Sequence, residues 1–350
     1  MPTVCIGKWS AQVVSNTDIT VVVQGPVQTF RDREQEEGIT KKCLKSVRQH
    51  LPGAHIILST WPDQDLAGLD YDELVISPDP GPNIRYFKAN GEPQQFNNNR
   101  QIVSTKAGLN RVKTPYAVKL RSDNFLTGSM FVEIQGRYPA RSEKFRFLQE
   151  RVVVSNVFTR KYAKGFPVAY HLSDFFYFGR TEDLMSLWDL DLLHNATDPI
   201  KENEVSYYST FPIDCTQMFW LRALSKFDPD ISLRGLLDNS HGNIEKSNHI
   251  YANNLVIASP EELGLGLCQK FLGTARISRP RGQCAQWHHF EWQNQYNRFC
   301  NLSSPIGEGS KLTALKLAFQ RLIYVHPTKI ETMFKILKRK KIRDNLRESG

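Results

Sequence analysis

The sequence predicts an α/β protein with a mixed, mostly parallel sheet flanked by helices. Short β-branched runs alternate with amphipathic segments through the first third of the chain. This strand–helix–strand rhythm is typical of a parallel sheet covered on both faces. A chain of 350 residues is also long enough to bury such a sheet in a large core.

Each early element follows from a local pattern. The run ITVVVQGP (19–26) ends at Gly-Pro, as a buried strand does. Residues 38–53 place their apolar side chains on one helical face and end in Pro-Gly, which predicts a helix. HIILSTW and DELVISPDPG predict two further strands, residues 97–113 a helix, and Tyr116 the start of another strand.

The middle of the chain is less regular. The sequence predicts strands within 146–159 and 165–179, a helix over 180–193, a capped helix over 213–224, and a strand followed by a turn within 253–267.

The positive charge is concentrated at the C-terminus. The net charge is +9, and residues 311–350 account for +8 of it, with eleven Lys or Arg and three Asp or Glu. The near-neutral remainder argues against a nucleic-acid groove, so no nucleic-acid partner is expected. Apolar residues recur at helical spacing before the run KRKKIR (338–343). Residues 301–350 are therefore predicted to be an amphipathic basic helical tail that contacts an anionic membrane surface through residues 326–350. The alternative is a solvated, frayed terminus.

Other features suggest a cytoplasmic location. The N-terminal residues lack the pattern of a secretory signal, and no apolar run has the length of a membrane span. Six cysteines are scattered without paired spacing, which favours buried thiols in a reducing compartment over disulfides or a zinc site.

The stretch YAVKLRSDNFL (116–126) carries the main candidate site. Alternation along a strand places Lys119, Arg121 and Asp123 on one face, and we expect them to form the rim of a cleft. Ligands of such sheets bind at the carboxyl ends of the strands, where QGP and RSD both fall. Gly-x-Gly-x-x-Gly after the first strand, Walker A, Gly-x-Ser-x-Gly and His-Glu-x-x-His patterns are all missing from the sequence. A carboxylate among cations suits a phosphorylated ligand.

An ordered set of segments resembles the WavE-type lipopolysaccharide-synthesis family, whose members look like glycosyltransferases of the GT-A fold. The set comprises ITVVVQGPV, LPGAHIILSTW, DPG, NNNRQIVSTKAGL, YAVKLRSDN, HLSDFFYFG with EDL, and SPEELGLGLCQK, covering roughly residues 19–270. The resemblance implies transfer of a sugar from a nucleotide-sugar donor onto a lipopolysaccharide or capsular surface-glycan acceptor. It implies a GT-A-like domain over 15–300, with a nucleotide-binding half (15–130) and an acceptor half (131–300).

The resemblance also assigns donor-binding residues. Gln24 and Gly25 would line the base pocket, and Asp79 would contact the base or ribose. An ordinary turn and an ordinary loop acid are the alternatives. The segment that approaches the donor phosphates and sugar matches Asn98, Asn99, Arg100 and Gln101. For these residues the alternative is helix capping by the asparagines, with Arg100 on a solvated face.

GT-A enzymes typically use Asp-x-Asp to hold a metal on the donor diphosphate, and here Arg121 occupies the first position. We expect Asp123 to hold a divalent cation, Mn²⁺ or Mg²⁺. Alternatively, Arg121 and Lys119 stabilise the departing diphosphate themselves. A surface ion pair would be the non-functional interpretation.

An inverting transfer also needs a base. Asp174 is our candidate, with His171 either orienting it or binding the acceptor. Asp214 is a second candidate, although its spacing to Gln217 favours a capping box over catalysis. His288 and His289 are expected on opposite sides of a strand, where both could not easily bind one metal. A late histidine completes the metal shell in some GT-A enzymes, but this role is not favoured here.

The protein would act as a peripheral enzyme on the inner face of the cytoplasmic membrane, with a lipid-linked glycan as acceptor. Two rival functions remain open: a sugar nucleotidyltransferase, and a non-catalytic, membrane-associated glycan-assembly protein. Donor nucleotide, sugar, linkage, stereochemistry and oligomeric state are not specified by the sequence.

Overall fold

A computed structural model of the chain describes residues 14–27, 35–87, 90–195, 211–301 and 308–348. The strands are β1 (Ile19–Gln24), β2 (His55–Thr60), β3 (Glu73–Ile76), β4 (Asn83–Phe87), β5 (Pro93–Phe96), β6 (Tyr116–Arg121), β7 (Asn124–Leu126), β8 (Val152–Ser155), β9 (Tyr162–Ala163), β10 (Phe166–Pro167), β11 (Phe176–Arg180), β12 (Leu255–Ala258) and β13 (Leu265–Leu267). The helices are α1 (Ile39–His50), α2 (Asn98–Leu109), α3 (Met130–Gly136), α4 (Thr181–Trp188), α5 (Cys215–Leu224), α6 (Asn243–Asn254), α7 (Pro260–Leu263), α8 (Pro280–Cys284), α9 (His289–Phe299), α10 (Glu308–Tyr324) and α11 (Pro327–Glu348).

Seven strands form one central sheet in the order β12-β8-β11-β6-β1-β2-β3. Within this sheet only β11 runs antiparallel to its neighbours. The strands come from both predicted halves of the chain, and helices flank the sheet. The prediction of a mixed, mostly parallel sheet flanked by helices is confirmed.

The order of the strands fixes where a ligand can bind. From β1 the chain moves outward to β2 and β3, then returns to β6 on the other side of β1. This reversal leaves a crevice beyond the carboxyl ends of β1 and β6, the place where open α/β sheets bind their ligands. Gln24 and Arg121, the last residues of the two strands, are direct neighbours in the parallel register.

The early elements fall within their predicted ranges because their local patterns are strong. β1 is completely buried, and α1 buries the apolar face that includes Cys43, Leu44 and Val47. The strands predicted within 165–179 are present but short, since this segment contains only β10 and most of β11. One later expectation was wrong: His288 and His289 begin a helix rather than lie in a strand.

α6 was not predicted, because its sequence NIEKSNHIYANN lacks an apolar stripe. Its two final asparagines are completely buried. The Asn253 amide donates to the backbone carbonyls of Ser142 and Lys144, and the Asn254 amide donates to that of Phe145. The C-terminal end of the helix is therefore fixed in part by polar contacts with a distant segment, which local periodicity does not reveal.

Two helices form the C-terminal region, as its apolar spacing predicts. None of the described helices is long and apolar enough to cross a membrane.

Candidate functional site

A cavity of about 220 Å³ lies beyond the carboxyl ends of β1 and β6. Because about 10–15 Å³ of such space is enough for one water molecule, this cavity can admit a ligand much larger than water. Its wall is formed by the end of β1, the start of α2, the segment after β6, Asp174 and the start of α5. Most of the predicted site residues meet here.

The end of β1 supplies Gln24 and Gly25. The Gln24 side chain is buried, and its Oε1 accepts a hydrogen bond from Ser104 Oγ at 2.8 Å. Gly25 has a φ of +122°, and a Cβ at this position would lie 2.8 Å from Ser122 Oγ. The backbone therefore requires glycine for both conformation and space. Gly25 is therefore part of the closely packed cavity wall rather than of an ordinary surface turn.

The first turn of α2 contributes Asn98, Arg100 and Gln101 to the cavity. Asn98 is 4% exposed, and its side-chain Nδ2 has no hydrogen-bond partner among the described residues. Its backbone N–H donates to Asn83 Oδ1. Asn98 thus lines the cavity while its amide donor is buried and unpaired, at the helix end that attracts anions.

Arg100 and Asp79 form a buried ion pair. The guanidinium donates to Asp79 Oδ1 at 2.7 Å and to Oδ2 at 2.9 Å, and the two side chains are 7% and 5% exposed. Arg100 also donates to Asn97 Oδ1, and Asn97 makes no side-chain cap of α2. The interpretation of Arg100 as a residue of a solvated face is wrong. Asp79 does not line the cavity itself, and its two hydrogen bonds fix the orientation of Arg100, which does.

Asn99 lies on another side of α2. Its side chain exchanges two hydrogen bonds with the backbone of Leu193, donating to the carbonyl and accepting from the N–H. It therefore anchors α2 to the segment after α4 and is not part of the cavity wall. Its role as a ligand contact stays a prediction that this packing does not favour.

The RSD segment forms a charged cluster. The Arg121 guanidinium donates to both oxygens of Asp123, at 2.9 and 3.0 Å, and lies 3.6 Å from Asp174 Oδ2. Lys270 Nζ reaches Asp123 Oδ2 at 2.5 Å from a 3₁₀ turn at Gln269–Phe271. Burial acts to raise the pKa of Asp123, but Arg121 and Lys270 hold it well below its usual range. Asp123 is thus a buried carboxylate held by two cations.

These residues do not fit a resident divalent cation. Both oxygens of Asp123 are occupied by cationic donors, as are both oxygens of Asp79. In the described ranges no group of three or more His, Cys, Asp or Glu side chains is placed to hold a metal ion. A hard cation needs several free oxygen ligands, so the geometry favours the alternative in which protein cations meet the ligand.

Lys119 does not lie on the rim of the cleft, and that expectation was wrong. It shares a face with Arg121, but it is completely buried. Its ammonium donates to the backbone carbonyl of Asp174 and lies 4.3 Å from the centre of the Trp188 ring. Burial lowers the pKa of Lys119 to about 7. β11 and α4 cover this position. Of the three charged residues predicted on this strand face, Arg121 and Asp123 therefore reach the cavity and Lys119 does not.

Asp174 lines the cavity beside Arg121, with its side chain 13% exposed. It is the carboxylate of the predicted catalytic set that an acceptor could reach. This position is compatible with a base.

His171 is buried next to the partly exposed Asp214 rather than beside Asp174. Its ring is 1% exposed, its Nε2 lies 3.6 Å from Asp214 Oδ1, and Thr216 Oγ1 lies 3.1 Å from its Nδ1. Burial lowers the pKa of His171 to about 4, so the ring is neutral at pH 7. His171 does not orient Asp174, and its burial disfavours acceptor binding.

Asp214 is the N-cap of α5, as its spacing predicted. Its carboxylate accepts from the Thr216 N–H at 3.1 Å, and Gln217 Oε1 accepts from the Asp214 N–H at 3.0 Å, which completes a capping box. The favoured interpretation of this residue is confirmed, because capping accounts for its position. A catalytic role for Asp214 stays untested.

The two adjacent histidines lie elsewhere. His288 caps α9, and His289 contacts the Ile257 carbonyl through Nδ1 and the Tyr138 hydroxyl through Nε2. Neither residue lines the cavity.

Sequence reasoning missed Lys270 as a site residue. It belongs to the segment SPEELGLGLCQK that carried the resemblance, but nothing near it in the chain indicates that it meets Asp123, 147 residues away. A lysine at the end of a recognised segment was the only available signal.

The model of the WavE family, described as lipopolysaccharide synthesis, matches residues 19–325. The chain belongs to the WavE family. This membership indicates a role in lipopolysaccharide synthesis, and the match extends past Lys270 and through α10. A search of curated proteins found no significant relative.

Proposed function

We propose that this WavE protein is a glycosyltransferase of GT-A type that moves a sugar from a nucleotide-sugar donor onto a lipopolysaccharide or capsular surface-glycan acceptor. One observation carries the proposal: where the strand order reverses, the N-terminal turn of α2, the arginines Arg100 and Arg121, and the Asp174 carboxylate line the same cavity. A helix N-terminus and arginine suit a diphosphate, and a carboxylate beside them suits deprotonation of a hydroxyl.

The donor would lie across the cavity. Gln24 offers an amide at one wall, where Trp61 and Phe96 supply aromatic surface that suits a base or sugar ring. The free Nδ2 of Asn98 and the first turn of α2 would receive the phosphates. Asp79 would act through Arg100 rather than contact the ribose itself.

Protein cations would neutralise the leaving diphosphate. Arg121 and Lys270 converge on Asp123, which holds them in place when no ligand is bound. A diphosphate carries more negative charge than one carboxylate and would compete for both cations. Oriented cations in a buried site stabilise developing negative charge strongly. Lys119, from below, would support the position of Asp174 through its backbone carbonyl.

Asp174 would take the proton of the attacking acceptor hydroxyl if the anomeric centre is inverted. The glycosidic bond forms as the bond from the sugar to the diphosphate breaks, and the nucleoside diphosphate leaves with the electron pair. The acceptor would be a lipid-linked glycan on the inner face of the cytoplasmic membrane, to which the protein would bind peripherally through residues 326–350.

The first test is calorimetric binding of UDP, GDP and CMP with Mn²⁺ or with a chelator. We expect one nucleotide to bind without metal, and Arg121→Gln and Lys270→Gln each to weaken it about tenfold or more, the loss expected of one charge-assisted contact. Arg111→Gln, which removes an exposed cation paired with Glu73 far from the cavity, is the matched control.

Other outcomes would redirect the assignment. Binding that needs both Mn²⁺ and Asp123 would establish a metal-bridged donor and contradict the role of the protein cations. Release of pyrophosphate from a nucleoside triphosphate would identify a nucleotidyltransferase. Failure of all three nucleotides to bind would favour a non-catalytic assembly protein.

The base is tested by Asp174→Asn, with released nucleoside diphosphate as the readout. We expect turnover to fall by about 10²–10⁴-fold while nucleotide affinity is retained. Unchanged turnover would show that Asp174 is not the base.

A further inference from the structure

The two C-terminal helices expose an unusual concentration of apolar side chains. Of the fifteen large apolar side chains that are exposed among the described residues, ten lie between residues 312 and 337. They include Leu312, Phe319 and Leu322 on α10, and Ile330 and Phe334 on α11, each more than 60% exposed. Isolated exposed apolar residues are ordinary, but a concentration of this kind on two successive helices is typical of an interaction surface.

Each helix turns its apolar stripe away from the protein body. On α10 the exposed residues recur at positions 312, 315, 319, 322 and 323, while Leu317, Arg321 and Val325 are buried on the opposite side. On α11 the exposed stripe runs from Ile330 to Leu337.

The buried side of α10 is held firmly. Arg321 is 6% exposed and donates to both carboxylate oxygens of Glu291, at 2.6 and 2.8 Å, and to the carbonyls of Cys284 and Gln286. Lys161 adds a bond to Glu291 at 2.7 Å. Burial acts to raise the pKa of Glu291, but Arg321 and Lys161 lower it to about 2, so Glu291 is charged at neutral pH.

The buried side of α11 rests on the β9–β10 hairpin. Thr332 Oγ1 donates to the Lys164 carbonyl at 2.9 Å. The backbone of Lys329 approaches Gly165 so closely that a Cβ on this glycine would lie 2.4 Å from the Lys329 nitrogen. The apolar stripes are therefore not misplaced core faces, since the opposite faces already pack on the body.

The charges around the stripes are nearly all positive. The exposed acidic side chain described on these helices is Glu331, whereas the exposed cations are Lys311, Lys316, Lys329, Lys335, Lys338 and Lys341. A second copy of this surface would bring like charges together on association. An anionic bilayer complements both the charge and the apolar stripes.

We propose that α10 and α11 together form a docking surface for an anionic lipid bilayer. This deepens the proposed function in one respect: the lipid contact is not confined to residues 326–350 but begins at Leu312. Apolar side chains enter the region between headgroups and acyl chains, and the lysines remain at the headgroup level.

Vesicle co-sedimentation of the full chain, without nucleotide, tests this proposal. The probes are vesicles of phosphatidylcholine with and without phosphatidylglycerol. We expect binding to the anionic vesicles that weakens at high salt. The double variants Phe319→Asp/Leu322→Asp and Phe334→Asp/Leu337→Asp should each lower the binding constant about tenfold or more, because apolar burial is lost and charge repulsion is added.

Leu192→Asp is the matched control, since it places the same charge at an apolar residue that is 44% exposed outside the two helices. It should bind vesicles as the wild type does. All the substituted residues are exposed, so near-ultraviolet circular dichroism should show retained folding. A deletion of α11 is less informative because it would uncover buried Val325.

Three results would overturn the proposal. Equal binding to neutral and anionic vesicles would remove the electrostatic part, and an α10 variant that binds normally would limit the surface to α11. If the wild type binds neither vesicle and light scattering shows a dimer that both variants dissociate, the surface joins two copies of this chain. Because the assay contains no nucleotide, its failure would contradict the membrane contact but leave the proposed nucleotide binding and sugar transfer unaffected.

Discussion

The cavity and the C-terminal helices both contain cations, but they use them in opposite ways. In and beside the cavity, Arg100 and Arg121 have 7% and 16% of their side chains exposed, and each is held by a carboxylate with two hydrogen bonds. On α10 and α11, six lysines are exposed beside exposed apolar residues. The net positive charge of the chain comes almost entirely from the C-terminal region, because the cations of the cavity are balanced by carboxylates and do not show in the total.

The difference is one of desolvation. A buried cation requires a precisely placed counter-charge, because an isolated charge in the interior is costly. The buried carboxylate of Asp123 is accordingly held by two cations, Arg121 and Lys270. Exposed lysines need no partner, and their effect is long-ranged and screened by salt. The local density of lysine and arginine in the sequence was therefore enough to single out the C-terminal helices. The cations of the cavity became apparent only from their burial in the structure.

Arg321 provides the sharpest test, because it lies in the C-terminal helices but is buried like the cations of the cavity. Arg321→Met should lower the free energy of unfolding by about 3–5 kcal/mol, since it leaves Glu291 charged and buried with one cation fewer. Urea unfolding measures this effect. The matched control is Arg298→Met, which breaks an exposed pair with Glu245 and should cost about 1 kcal/mol or less. Equal losses would show that burial does not distinguish the two kinds of cation.

The second prediction concerns buried His171 and the pH dependence of the free energy of unfolding. The folded-state pKa is about 4 against an ordinary 6.5, so between these values the unfolded chain binds a proton that the folded chain does not. Stability should therefore fall as pH is lowered from about 6.5 to 4, by an amount on the order of 3 kcal/mol. The contribution of Asp214, whose pKa is lowered from 3.8 to about 2, is lost mainly at lower pH, progressively from about pH 5 to pH 1.

His171→Asn should flatten this part of the stability curve, measured by urea unfolding at pH 7 and at pH 4.5. The expected result is a smaller difference between the two pH values in the variant than in the wild type. An identical pH dependence in both proteins would show that His171 does not carry the acid sensitivity.

Asp214 gives the smallest effect and separates capping from chemistry. Asp214→Ala should cost about 1 kcal/mol of stability through loss of the N-cap, whereas Asp214→Asn, also a good cap, should restore most of it. Thermal unfolding measures both variants. Turnover that stays normal in Asp214→Asn would leave Asp174 as the catalytic carboxylate, and turnover lost in this stable variant would make Asp214 catalytic as well.

The sequence predicted the framework well where the pattern is local. Apolar runs ending in turn residues located β1 and β2, the apolar face of residues 38–53 located α1, and the spacing of Asp214 to Gln217 located a capping box. It failed for α6 and for the start of α9, where buried asparagines and a histidine cap replace the usual apolar signals.

The sequence by itself determined the fold class, the family and the amphipathic character of the last two helices, because these depend on residue order over short distances. Tertiary structure alone decided that Lys119 is buried, that Asp79 orients Arg100, and that Lys270 completes the cluster around Asp123. It also decided which side of α10 faces outward. These features depend on which distant segments exclude water from a charge, and desolvation is a property of the packed chain rather than of any stretch within it.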